Sequence, residues 1–525
     1  MTTAGSEELR LKVPGTLRLS WPELPTEIHL MILRCLADEP AGDGHRQSAY
    51  AVVCREWQRF FEPVLFKNLV LHQSDVKRLG DVVRNNRITY VKWIWLRLEL
   101  PAYTCTQCKN PESSDEYQRH NQLFTNAVWE LFAVLSAWKG RDTEDGITFE
   151  LSAHSPSDWL HCYKPLQRRI HDTAWAWKHD RLGEGQTFHD PKHGWELTQT
   201  KRPKLAPLLR LFGRPEGLKF DRRASWARRI KKLPRVNIIK AFCIRRQFLR
   251  MFSVVGALSP MIRSTPAITS FRYEVWRAQS RASHPGVEIR HKDHLFLLSN
   301  VLHKQLKQLK RISIYQNCDS LLHKVHFCGQ SPSLGRALAL SSYGLEELHV
   351  GKLLDARDFF HDFWPVSETG RRMQLSRGGR KWENLRSLSL SSQFLNHMDI
   401  EDLMSAASSA AIMMPCLQIM ELWIGFRGAM CVFRYQRRTN AIEIELLSTW
   451  NARITPLIHK QWARVANCHN SRVDMESVNN DVDPGLIKGE ACVLQYLVCK
   501  HKLLNEVSLL QIQEEQNESA SRPGR

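Results

Sequence analysis

The stretch that decides the fold is Leu345-Glu-Glu-Leu-His-Val350, read beside Leu309-Lys-Arg-Ile-Ser-Ile314, Leu385-Arg-Ser-Leu-Ser-Leu390 and Leu417-Gln-Ile-Met-Glu-Leu422. Each opens on an apolar residue, skips two positions and then sets apolar residues at alternate places. Period two is the mark of a strand with one buried face. The four segments start 36, 40 and 32 residues apart. Looser versions run upstream, at Val91/Ile94/Leu96, Val236/Ile239 and Ile268/Phe271/Tyr273. Helical patterns lie between them, over 75–84, 121–138, 292–307 and 399–413, the last ending just before Pro415. Strand–helix alternation predicts an α/β fold with a largely parallel sheet. The self-similarity suggests an irregular leucine-rich-repeat-like solenoid, although standard repeats of that kind run about 20–29 residues. A general α/β domain with several short strands stays open beside it. Further on, Phe433–Tyr435 and Ile442–Ile444 read as a strand pair, and Leu457, Trp462 and Val465 as a helix face.

Working outward to the N-terminus, residues 21–71 form a different module. Pro25 suits the first turn of a helix, where a missing N–H costs nothing, and Glu27 complements the helix dipole. Ile28, Met31, Ile32, Cys35 and Leu36 recur at helical spacing. Residues 38–47 read as a loop, and Tyr50, Val53, Cys54, Trp57, Phe60 and Phe61 share a second face that breaks at Glu62-Pro63. So small a helical unit buries little area alone and asks for a partner surface or for a cap on the next domain.

Leu24-Pro25-x-Glu27-Ile28, followed by Val53-Cys54-Arg55-Glu56-Trp57, resembles an F-box. The resemblance implies a three-helix module docking on the Skp-type adaptor of an SCF-type cullin–RING ubiquitin ligase. Leu24, Pro25, Ile28, Ile32 and Leu36 would then face the adaptor, with Val53, Cys54 and Trp57 closing the helical triangle. The family often has a tighter turn between the two halves than residues 38–47 offer. Past residue 100 or so, the chain resembles an uncharacterised C-terminal domain found on filamentous-fungal F-box proteins, on the segments 234–248, 271–277 and 454–465.

The chain has 525 residues, 74 Lys and Arg against 54 Asp and Glu, and a formal net charge of +20. Residues 201–250 hold 17 of the basic residues and only two acids, so the excess belongs mainly to one segment. Arg222, Arg223, Arg228, Arg229, Arg245 and Arg246 are therefore candidate ligands for an acidic or phosphorylated substrate, because guanidinium forks take carboxylate and phosphate bidentately. A solvated surface in which arginine stems cover apolar area is the competing reading. A grip on nucleic-acid phosphates ranks third, since no recognised nucleic-acid module accompanies the segment.

No apolar run is long enough to span a membrane, and the first residues lack the apolar core of a secretory signal. Thirteen scattered cysteines fit reduced thiols in the cytoplasm or nucleus. Cys105-x-x-Cys108 has half the spacing of a zinc site; His154, His161 and Cys162 are the nearest further ligands, and paired free thiols are the simpler reading. His291-x-x-His294 reads as surface histidines, and Gly351-Lys352 lacks the pattern of a phosphate loop. No catalytic constellation or cofactor motif emerges. The expected organisation is a disordered 1–20, an F-box-like 21–71, a substrate-binding α/β domain over 72–510 and a disordered tail over 511–525. The expected role is that of a non-catalytic substrate receptor in a ubiquitin ligase, recruiting an unidentified protein; a nucleic-acid-associated scaffold is the alternative.

Overall fold

The computed structural model describes residues 21–38, 45–138, 146–161, 190–193, 195–196, 199–200, 205–221, 233–277, 286–317, 331–364, 380–393, 395, 399–438, 442–469 and 475–520. In chain order the strands are β1 (Asn68–Leu71), β2 (Trp93–Glu99), β3 (Ile147–His154), β4 (Trp195–Glu196), β5 (Gln199–Thr200), β6 (Ile239–Ile244) and β7 (Ser270–Trp276). They continue as β8 (Arg311–Asn317), β9 (Glu347–Gly351), β10 (Ser387–Ser391), β11 (Ile419–Phe426), β12 (Ala429–Arg437), β13 (Ile442–Ser448) and β14 (Met475–Asp481). The first helices are α1 (Thr26–Asp38), α2 (His45–Tyr50), α3 (Arg55–Leu65), α4 (Val76–Val82), α5 (Asn86–Tyr90) and α6 (Ser114–Ser136).

The described residues fall into two compact units. The first takes residues 21–68 and 85–91, so α5 returns to it, with Arg87 paired to Glu62 at 2.6 Å. The expected loop over 38–47 is shorter than foreseen, because His45 already starts α2. The expected break at Glu62-Pro63 is corrected too: α3 runs through Pro63 to Leu65. A proline in the last turn forfeits a single backbone bond, and the Phe66 N–H closes the helix on the Glu62 carbonyl.

In the second unit, β4 and β5 pair as a small hairpin, and the other twelve strands form one sheet in unbroken chain order. Every neighbouring pair from β2 to β11 is parallel. The β11–β12 and β12–β13 pairs are antiparallel, and β14 joins β13 in parallel. The protein is thus mixed α/β. In the four decisive segments the strand begins two residues after the leading leucine, which is itself buried or nearly so. The alternating positions then fall into register. One row runs Ile94, Phe149, Phe242, Phe271, Ile312, Leu348, Leu388, Met420, Tyr435, Ile444. A second row two residues on includes Tyr273, Ile314, Val350, Leu390, Leu422, Phe433 and Leu446. Crossover helices cover this apolar face. Phe132 of α6 meets Phe149 edge-on at 5.8 Å, and Trp462 of the helix Pro456–Cys468 lies 5.0 Å from Phe433 and 5.1 Å from Tyr435. A capping box of Ser113 and Glu116 starts α6 seven residues earlier than its apolar pattern alone predicts.

The opposite face carries a polar row, Ser313, His349, Ser389 and Glu421, yet these residues are buried. The chain after β14 covers them, and helix Glu506–Ala520 ends it. This corrects the expectation of a disordered tail from residue 511. Glu421 accepts the backbone N–H groups of Val498 (2.9 Å) and Cys499 (3.0 Å), Ser313 donates to the Leu503 carbonyl at 2.6 Å, and Glu274 accepts from Asn505 N–H at 2.7 Å. Between these anchors Val493, Leu494, Leu497, Leu503, Leu504 and Ile512 pack on Tyr315, Trp423 and Val432. Gly425 admits the close approach: a Cβ there would stand 2.1 Å from the Val493 side chain.

Candidate docking surface and the arginine segment

In the first unit, Trp21 stacks on His29 at 4.1 Å, and its indole N–H donates to Glu56 at 3.0 Å. His29 reaches Glu56 at 2.9 Å and the Trp21 carbonyl at 2.6 Å. The Trp21 N–H, followed by His29, holds the Glu56 carboxyl below its usual range. Tyr50, Trp57, Phe60 and Phe61 form a ring cluster that joins α2 to α3, and Trp21, stacked on His29 of α1, meets Trp57 at 5.3 Å. The residues that seal this small core from α1 are His29 and Leu33, neither of which belongs to the stripe read from spacing.

That stripe faces outward in large part. Pro25, Ile28, Cys35, Val53 and Cys54 are exposed, and Leu24, Ile32, Leu36 and Trp57 are half-buried. Met31 is 59% exposed, Val52 81% and Val53 60%. Val52 escaped sequence reasoning, because the turn between α2 and α3 breaks the helical period that would have placed it. So many large apolar side chains on so small a unit form a surface of the kind that marks an interaction site.

The arginine segment resolves differently. Arg222, Arg223, Arg228 and Arg229 lie outside the described residues. Arg245 and Arg246 are corrected: both are buried and neutralised, so neither is offered to a substrate. Arg245 meets Glu150 at 2.6 Å with its guanidinium over Trp93 and Trp95, and Arg246, wholly buried, meets Glu515 at 2.6 Å over Trp276. Two more cations of the segment follow the same pattern. Arg250 pairs with Glu112 at 3.1 Å, and Arg210 with Glu116 at 3.0 Å. Burial would raise the Glu112 carboxyl, but Arg250 and His120 beside it hold it low; the Arg210 hydrogen bonds bring Glu116 to about 2. These acids come from positions 112, 116, 150 and 515, so a charge count over neighbouring residues could not reveal the compensation.

Elsewhere, Lys352 at the carboxyl edge of β9 is paired with Glu490, so the Gly351-Lys352 turn offers no free cation. His294, expected on the surface, is buried, and burial drives its pKa down to about 3. Cys105 and Cys108 sit in the loop after β2, where Cys105 meets His161 and His193. No described helix is long and apolar enough to cross a membrane.

A family model described as a family of unknown function (DUF6546) matches residues 302–505. The C-terminal half therefore carries an uncharacterised family domain, from β8 through β14 into the covering segment. The segment 454–465 falls inside the match, and 234–248 and 271–277 fall outside it. No F-box family model matches the N-terminal unit. No curated protein and no solved structure matches the chain.

Proposed function

We propose that the chain is a non-catalytic substrate receptor of an SCF-type cullin–RING ubiquitin ligase, with the N-terminal unit acting as an F-box. The observation that carries this reading is the exposed apolar set Pro25, Ile28, Met31, Val52 and Val53 on a three-helix unit closed by Trp57 and Phe61. A Skp-type adaptor would cover that surface. The in-order parallel strands support a leucine-rich-repeat-like platform for an unidentified protein substrate. Because the C-terminal segment covers one sheet face, the substrate would meet the edges and loops of that platform. The receptor would act by proximity, raising the effective concentration of a target lysine beside the charged conjugating enzyme.

The test is co-purification of the full chain with a Skp-type adaptor. Wild-type protein should retain the adaptor, and Ile28→Asp with Val53→Asp should lower retention by about tenfold or more, since each buries a charge in an apolar contact. Wild-type protein that retains no adaptor, or a double variant that retains it fully, rejects the reading.

A further inference from the structure

Cys105 and His161 belong to the loops that leave β2 and β3 at their carboxyl ends, and His193 closes the short turn Pro191–His193. The two loops are pinned to each other. Ser155 Oγ donates to the Pro101 carbonyl at 3.0 Å, Tyr103 N–H to Ser157 Oγ at 3.0 Å, and the Tyr103 hydroxyl to Asp158 at 3.0 Å. This framework brings Cys105 Sγ to 3.4 Å from His161 Nδ1 and 3.6 Å from His193 Nε2. All three ligand atoms lie within 4.8 Å of one another. Bonds of about 2.3 Å to sulfur and 2.0 Å to nitrogen put the sulfur of a tetrahedral zinc site about 3.5 Å from each nitrogen, which matches both sulfur–nitrogen distances.

The remaining ring nitrogens fix the tautomers. His161 Nε2 faces the Tyr103 carbonyl at 3.3 Å, and His193 Nδ1 faces the Asp190 carboxylate at 2.6 Å. A carbonyl and a carboxylate only accept, so these nitrogens carry the hydrogens, and the other nitrogen of each ring faces the one sulfur. A cation at the centre satisfies all three groups, and an imidazole held from behind by a carboxylate is the usual outer shell of such a ligand. We infer that Cys105, His161 and His193 bind a zinc ion that clips the β2 and β3 loops to the 191–193 turn. Cys108 donates its thiol to the Cys105 carbonyl at 3.1 Å and is not one of the three grouped ligands among the described residues. Thiolate and imidazole together favour zinc over the hard cations magnesium and calcium.

Metal analysis of the full chain, purified without chelator and re-equilibrated with zinc, should find about one tightly held ion per chain. Cys105→Ser and His193→Ala should remove it while far-ultraviolet circular dichroism stays unchanged; Cys416→Ser, at an exposed thiol, should leave it in place. Asp190→Asn keeps all three ligands and should weaken zinc about 10–100-fold in competition with a chromophoric chelator. Zinc should also protect Cys105 from alkylation. Wild-type protein that takes up no zinc, or a Cys105 that alkylates equally fast with and without it, overturns the proposal and leaves a Cys–His–Asp hydrogen-bonded chain instead.

Discussion

At the scale of single residues, burial decides what a charge does. Arg245 and Arg235 stand ten positions apart in the same basic segment, one buried against Glu150 and the other exposed. Removing one partner of a buried pair strands the other in a poor solvent. Arg245→Ala should therefore cost about 3–5 kcal/mol, and Arg235→Ala about 0.5 kcal/mol or less, in denaturant midpoints. His349 gives the matching case for pH. Burial, then Lys502 and Arg272 nearby, lowers its pKa to about 3 from an ordinary 6.5. The folded protein thus prefers the neutral ring. Its contribution is full above pH 6.5 and is lost as pH falls from there toward 3. Each pH unit in that window is worth about 1.4 kcal/mol. Wild type should accordingly lose stability relative to His349→Leu by about that slope between pH 6 and 4; parallel pH curves for the two would contradict a buried neutral histidine. Neither Arg245 nor His349 betrays its burial in the sequence, because their neighbours in space come from distant strands and from the C-terminal segment.

At the scale of elements, the strands were the legible part. Leu309, Leu345, Leu385 and Leu417 each announce a strand two residues later, since period-two apolar alternation has a single physical solution when one face is buried. The helix faces were less legible. In α1 the spacing of Ile28, Met31 and Cys35 marks an apolar stripe, and that stripe faces out, whereas the core is closed by His29 and Leu33, which the spacing does not single out. An apolar pattern reports a face to be covered, and it does not say whether the chain itself or a partner covers it. The covering C-terminal segment was the least legible element, because Glu506–Ala520 is rich in Glu and Gln and shows no clean apolar stripe. Its attachment runs through the sheet's polar row. Glu421→Ala would free the Val498 and Cys499 N–H groups and leave Arg434, now 2.9 Å from Glu421, with a lost partner. That change should cost about 3–5 kcal/mol, and hydrogen exchange should rise over 498–505 before it rises in β7 and β8. Exchange rising first in the strands would show that the segment is held mainly by its apolar contacts.

At the scale of the whole chain, a net charge of +20 described no single surface. Seventeen basic residues over 201–250 suggested one, yet four of them turn inward to acids drawn from elsewhere in the chain. What remains for an acidic partner is what the exposed members present. The sheet shows the same division. Its parallel, in-order strands follow from the repeated apolar segments, because each strand–helix step is local and alike. By itself the sequence determined the positions of nine of the sheet's twelve strands (β1, β3 and β14 carry no such repeat), the apolar face of the sheet and the presence of a small N-terminal helical unit, since these rest on local periodicity. Only the tertiary structure decided which arginines are neutralised, that the polar face is covered, and that Cys105 meets His161 and His193. Those outcomes depend on contacts between residues tens to hundreds of positions apart, and no local pattern encodes them.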